Sequence, residues 1–151
     1  MDILSEALKI SKLLAKANLK WTFVGGVAVG IHGLIRATED IDIVINPNDL
    51  KKLDALLIKN NFVINPQPMK FKDGFVLHRR VKIVGKEYFV LDIMIPPDNF
   101  PELLKNRQAG LISGTKVYVA AKPDLIRMKR GTGRLKDRLD AENLEGKNDR
   151  P

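Results

Sequence analysis

The 151-residue chain contains no cysteine, two histidines (His32 and His78) and one tryptophan. Without thiols it forms no disulfide, holds no thiolate zinc and offers no cysteine nucleophile, a composition that suits a reducing compartment. Two histidines are too few for a His-rich metal site. No apolar run approaches the ~18 residues that a membrane span needs. The start, Met1-Asp2-Ile3-Leu4-Ser5-Glu6, has neither the basic opening nor the unbroken apolar stretch of a secretory signal. These absences predict a cytoplasmic protein that does not enter a membrane. Internal repeats, low-complexity tracts and Gly/Ser linkers are also missing.

What is present is globular. Hydrophobic residues make up 44% and charged residues 29% of the chain, values that exclude global disorder. The length predicts a single domain over residues 1–144, followed by a polar, flexible tail from Glu145 to Pro151. Lys and Arg number 26 against 18 Asp and Glu, a net charge of +8. Such an excess points to a polyanionic partner, a nucleic acid or a nucleotide.

Periodicity predicts a helix over Ile3 to Ala17 and a short strand over Trp21 to Val24 that runs into Gly25-Gly26. A short helix, Val27 to His32, ends at Gly33, with His32 as a packed helix residue. Ile41 to Ile45 is a β-branched strand. Asn46 as N-cap and Pro47 at the first helical position then open a helix to about Asn60. Strands are predicted at Phe62–Ile64, Val76–His78, Val81–Val84, Glu87–Ile95 (after a Gly85-Lys86 turn) and Lys116–Ala120. Helices are predicted over Pro101–Asn106, Pro123–Arg130 and Leu135–Leu144. The order is mixed α and β, without the regular alternation of a doubly wound parallel sheet.

Asp is depleted in strands, yet Glu39-Asp40-Ile41-Asp42-Ile43-Val44-Ile45 carries two. Residues two apart on a strand share a face, so Asp40 and Asp42 point one way and Ile41, Ile43 and Ile45 point to the core. Two adjacent carboxylates repel unless a positive charge sits between them, and a hard divalent cation such as Mg²⁺ supplies it. A solvated strand face is the plain alternative for that pair alone. Tyr88 to Ile95 is apolar apart from Asp92, which is therefore either buried with partners or bound to a cation. Three carboxylates on two strands are what two-metal phosphoryl transfer requires. Gly25-Gly26 would let backbone N–H groups approach phosphates at a strand-to-helix turn. No Gly-Lys-Ser/Thr follows, and Gly25, Gly26, Gly30 and Gly33 do not fit a dinucleotide fingerprint.

Strand, Gly25-Gly26, thirteen intervening residues (Val27 to Glu39), Asp40-Ile41-Asp42 on a strand and then the isolated Asp92 together resemble the nucleotidyltransferase superfamily with the DNA polymerase β-like fold. Phe23 to Val29 and Arg36 to Asp42 look closest to its minimal, AbiEii-type branch, some of whose members are toxins of toxin–antitoxin systems. The segments Lys122–Lys129 and Lys136–Asp140 resemble that branch's closing helices. The resemblance implies an α+β fold, a mixed β-sheet core flanked by helices. It implies transfer of NMP from an NTP to an acceptor hydroxyl of RNA (tRNA among them), protein or a small molecule, with two Mg²⁺ or Mn²⁺ ions as cofactors. A small helical or antitoxin partner is a further implication. Asp40, Asp42 and Asp92 would be the catalytic and metal-binding residues, and Gly25, Gly26, Arg36, Thr38 and Lys129 would bind the nucleotide.

Three other readings compete. A non-catalytic interaction module would keep the fold without metal. A nucleic-acid-binding domain would act through its basic helices. A metal-dependent nuclease often carries a Lys two residues after its second-strand acid, where this chain has Met94. The charge itself is uneven: Lys122 to Arg138 holds seven basic and two acidic residues, five of the eight excess positive charges.

Overall fold

The computed structural model describes residues 2–34, 38–98, 100 and 102–146. In chain order the elements are α1 (Ile3–Lys16), β1 (Trp21–Val24), α2 (Gly25–Ile31), β2 (Asp40–Ile45), a 3₁₀ turn (Pro47–Asp49), α3 (Leu50–Lys59), β3 (Phe62–Ile64), β4 (Met69–Lys70), β5 (Val76–Val84), β6 (Glu87–Ile95), β7 (Gln108–Ile112), β8 (Thr115–Val119), α4 (Lys122–Gly131) and α5 (Leu135–Leu144). The strands form one sheet in the order β3-β5-β6-β2-β1-β8-β7, with β4 paired to β5. β2–β6 and β1–β8 are parallel and the other pairs antiparallel. The expected α+β class with a mixed sheet and flanking helices is what the chain adopts.

Local chemistry explains the first elements. Asp2 caps α1 by accepting the Ser5 N–H at 2.6 Å, and Ala7, Ile10 and Leu14 give the helix a buried face. On β2 the two-residue period buries Ile41, Ile43 and Ile45 completely. The register sets Ile41 beside Leu91 and Ile43 beside Ile93, so one face of the central sheet is continuously apolar. Helices α1 and α3 lie on that face. Glu6 of α1 accepts from Lys82 at 3.1 Å, and Asp54 of α3 takes a two-pronged bond from Arg80 at 2.8 and 2.9 Å. The carboxylates of β2 and β6 occupy the other face.

Several boundaries differ from expectation. Val76–His78 and Val81–Val84 are halves of one nine-residue strand, β5, with Arg79 and Arg80 at its middle. Each arginine finds an acid on its own side of the sheet, so neither interrupts the strand. Helix α2 begins at Gly25 itself rather than at Val27. Asn46 makes no side-chain cap bond, and Pro47 opens a 3₁₀ turn before α3. Residues 102–106 form turns rather than a helix. Strands β4 and β7 were not expected. β7 joins β8 through Ser113-Gly114, both at positive φ (48° and 78°), the geometry of a tight hairpin. Of the expected tail, Glu145 and Gly146 continue from α5 as a turn, and 147–151 lie outside the described residues.

Arg80 is 2% exposed and Asp54 is its acidic partner. Asp54→Ala leaves a buried guanidinium without its counter-ion and is expected to cost about 3 kcal/mol. Urea unfolding of the variant checks this; an unchanged midpoint would show that the pair does not hold β5 against α3.

Candidate active site

Strand register assembles the site. Parallel pairing sets Asp42 of β2 directly beside Asp92 of β6, and antiparallel pairing sets Asp92 directly beside Arg79 of β5. One row across three adjacent strands therefore reads Asp42, Asp92, Arg79, with Asp40 two residues along the same face of β2. Arg79 grips Asp92 with both prongs: Nε donates to Oδ1 and Nη2 to Oδ2, each at 2.9 Å. The same Nη2 stands 3.8 Å from Asp40 Oδ2. Asp92 is 3% exposed and its carboxylate is paired with Arg79, the alternative to the cation contact that the sequence resemblance implied. Among the described residues, no group of three or more His, Asp or Glu side chains stands as a ready metal cluster.

The electrostatics follow from this crowding. Asp42 lies at the floor of the cleft, half-buried by exposed area yet enclosed by protein. Burial, then the charges of Asp92 and Asp40, push its carboxyl up to about 7. Burial and Asp92 also raise Asp40, and Arg79 works against that rise. The bidentate bond to Asp92 holds the Arg79 guanidinium still more firmly protonated than usual.

The glycine turn abuts these acids. Gly25 has φ +65°, and a methyl group there would collide with Asp42 Oδ2. A Cβ on Gly26 would fall 2.5 Å from Thr38 Oγ1, which itself donates to the Asp40 carbonyl at 3.0 Å. The two glycines thus let the turn close onto the carboxylate strand and its leading residue.

A cavity of about 950 Å³ opens over this face. Gly25, Gly26, Thr38, Asp40, Asp42, Asp92 and Lys129 all line it, so seven of the eight expected site residues converge. The eighth, Arg36, lies outside the described residues. Lys129 of α4 is neither solvated surface charge nor an isolated cation: its Nζ donates to Asp137 Oδ1 at 3.2 Å and Asp140 Oδ2 at 3.0 Å. Asp137 also accepts from Thr132 and from Arg134, each at 2.7 Å. Burial would raise Asp137, but these donors outweigh it and hold the carboxyl below its usual value. His32 was expected within the helix but follows its last residue as the C-cap, partly buried, with Nε2 2.8 Å from the Ala120 carbonyl. Beyond the acids, Met69, Leu77 and Met94 give the cavity an apolar side.

Arg79 is the residue that sequence reasoning missed. A usable signal was present. Val84 faces Glu87 across the Gly85-Lys86 turn, and equal steps back along both strands bring Arg79 opposite Asp92.

No family model matches the sequence, and no curated protein matches it. Solved structures do. ANT(2'')-Ia in complex with adenylyl-2''-tobramycin superposes with a TM-score of 0.66 at 15% identity, covering 93% of this chain and 86% of that one. TM1012 from Thermotoga maritima, assigned as a nucleotidyltransferase, gives 0.67 at 16%, with 97% and 93% covered. The lincosamide antibiotic adenylyltransferase LnuA, lincomycin-bound, gives 0.65 at 18%, with 93% and 95% covered.

The raised Asp42 carboxyl has a consequence for stability. It titrates near 3.8 in the unfolded chain and near 7 in the folded one. Between those values the folded chain binds the extra proton, so raising the pH through that window removes stability. Without metal, wild type is expected to lose of order 1–4 kcal/mol from pH 5 to pH 8 relative to Asp42→Asn, which lacks the titration. Paired melts in EDTA check this; a difference between the two proteins that is constant with pH would refute it. The fold over nearly the whole chain is that of nucleotidyltransferases.

Proposed function

We propose that the chain is a metal-dependent nucleotidyltransferase that moves NMP from an NTP to an acceptor hydroxyl, with residues 1–144 as its single domain. The observation that carries the reading is the placement of Asp40, Asp42 and Asp92 on one sheet face, against the Gly25-Gly26 turn, under a single cavity. The likeness to the folds of ANT(2'')-Ia and LnuA supports it.

The donor set suits a hard divalent cation: three carboxylates on two adjacent strands, whose repulsion is offset by Arg79 on the sheet and Lys129 of α4. Asp40 and Asp42, and Asp92 once Arg79 releases it, would hold Mg²⁺ or Mn²⁺. Bound metal supplies charge neutralisation for the triphosphate and a more acidic acceptor hydroxyl. The chain's own residues do the rest. Backbone N–H groups of Gly25 and Gly26 face the β- and γ-phosphates across a surface with no Cβ. Thr38 fixes the start of β2 through the Asp40 carbonyl. Asp92 takes the proton of the acceptor hydroxyl as its oxygen bonds to the α-phosphorus. The bond from that phosphorus to the α,β-bridging oxygen breaks, and pyrophosphate leaves. Lys129 and Arg36 neutralise charge on the departing phosphates.

The acceptor must reach Asp92 from the β5 side, over Met69, Leu77 and Met94, because the glycine turn occupies the β1 side. RNA, a protein and a small molecule such as an antibiotic remain the acceptor classes of the proposal. An AbiEii-type toxin setting, with an antitoxin or small helical partner in the cytoplasm, is part of it. The bidentate Arg79–Asp92 pair favours one second reading, a non-catalytic module of the same fold whose acid row is permanently neutralised.

Incubation with each α-³²P-labelled NTP and Mg²⁺, against RNA, protein and antibiotic pools, separates the two. Transfer is expected to disappear with EDTA and to fall at least 10³-fold in Asp42→Asn. Because Mg²⁺ must compete with the proton on Asp42, half-maximal activity is expected to need more Mg²⁺ below pH 7 than above it. Equal transfer by Asp42→Asn would remove the metal assignment, and absence of any nucleotide binding by calorimetry would favour the module.

A further inference from the structure

Transfer as proposed gives Arg79 no task beyond the release of Asp92. Arg79 saturates both oxygens of Asp92 at 2.9 Å and lies 3.8 Å from Asp40, and its side chain is still 42% exposed to the cavity. Its neighbour Arg80 is the opposite case. That side chain is 3% exposed and is held by Asp54 and by the Asn65 carbonyl, so β5 is anchored from the far face. Arg79 can therefore turn about its own side-chain bonds without disturbing the strand.

We propose that Arg79 is the resident counter-ion of the carboxylate row, that a divalent cation displaces it to engage Asp92, and that the freed guanidinium then pairs with the triphosphate. The inference rests on the nucleotidyltransfer reading. Its logic is charge and shape. A guanidinium fork and a divalent cation cannot occupy the same two carboxylate oxygens without facing each other as like charges. A displaced Arg79 remains beside the ion and needs an anion of its own. A polyphosphate supplies one, and its oxygens match the planar fork that the carboxylate matched before. Metal alone gains Asp92 only by leaving a cation unpaired. Metal and nucleotide together give both Asp92 and Arg79 an opposite charge. The two ligands therefore load cooperatively, and Arg79 is the nucleotide-contacting residue that couples them.

Mn²⁺ binding to the full chain, read by electron paramagnetic resonance of the free ion, tests this without turnover. The probes are Mn²⁺ alone and Mn²⁺ with the α,β-methylene analogues of ATP, GTP, CTP and UTP. Wild type is expected to bind Mn²⁺ at least tenfold more tightly with the preferred analogue than without it. Arg79→Met is expected to bind Mn²⁺ alone at least tenfold more tightly than wild type, with most of the coupling gone. Arg79→Lys, which keeps the charge and loses the fork, is expected to fall between them. Should Arg79→Met fail to fold by circular dichroism, the Arg79 Nε–H resonance of wild type gives the answer. It should move on addition of Mg²⁺ with analogue and stay in place with the same Mg²⁺ alone. An Arg79→Met protein that binds Mn²⁺ no better than wild type, or an unmoved resonance in a wild type that does bind Mn²⁺ and analogue, overturns this inference and leaves transfer standing. A wild type that binds neither Mn²⁺ nor any analogue overturns both.

Discussion

Like charges brought side by side by strand register are the constraint around which this molecule is arranged. Neighbouring strands lie about 4.8 Å apart, and Asp42 and Asp92 are direct partners across one such step. At an effective dielectric constant near 20, two unit charges about 5 Å apart repel by roughly 3 kcal/mol. Asp40 adds a third charge on the same face. A fold that must hold this row has few options: protonate an acid, supply a cation, or both. This chain does both, with the Asp42 carboxyl raised to about 7 and Arg79 clamped on Asp92. Each device costs stability or freedom that an apolar row would not, and the site concentrates them under one cavity.

The opposite face of the same sheet shows how the fold tolerates this. Ile41, Ile43, Leu91 and Ile93 are fully buried, and the central strands draw their cohesion from that side. The charged residues there, Arg80 and Lys82 of β5, are each paired with an acid from a covering helix. β5 is thus a strand whose alternate residues answer to two unrelated demands. Arg80 and Lys82 fix it to α3 and α1, and Arg79 serves the acid row. Division of labour by the two-residue period lets a rigid support and a movable side chain share adjacent positions.

Much of this was legible before any coordinates. Asp40 and Asp42 stood out because acids are unfavourable in a β-branched strand, and Asp92 because its neighbours are apolar. Both anomalies lie within a few residues of chain, so local rules detect them. The α1 and β1 boundaries follow from hydrophobic spacing in the same way. The continuity of β5 was not legible by those rules. Two successive arginines between short apolar runs look like a break, and what makes them strand residues lies elsewhere in the sequence: Asp54 for one and Asp92 for the other. β7 was missed for a different reason. Gln108-Ala109-Gly110 carries little β-propensity, and the strand exists because the Ser113-Gly114 hairpin turns it back against β8. The basic stretch from Lys122 to Arg138 was counted correctly but read too simply. Lys129 and Arg134 are engaged by Asp137, and Asp140 holds Lys129 as well, so part of the apparent surface charge is spent inside the α4–α5 pair.

That last network bears on how Lys129 could serve a phosphate at all. A lysine between two acids looks committed, but its bonds are not equivalent to those around them. Asp137 receives Thr132 and Arg134 at 2.7 Å and Lys129 at 3.2 Å. If Lys129 turned toward an anion in the cavity, Asp137 would keep two short donors, one of them the charged Arg134, and would not become a buried orphan. The converse does not hold for Arg79, whose departure strips Asp92 of both its bonds unless another cation arrives. These two of the cavity's basic residues therefore differ in kind. Lys129 can shift without stripping Asp137 of its donors, giving up its bond to Asp140 as it does so. Arg79 can shift only in exchange for another positive charge.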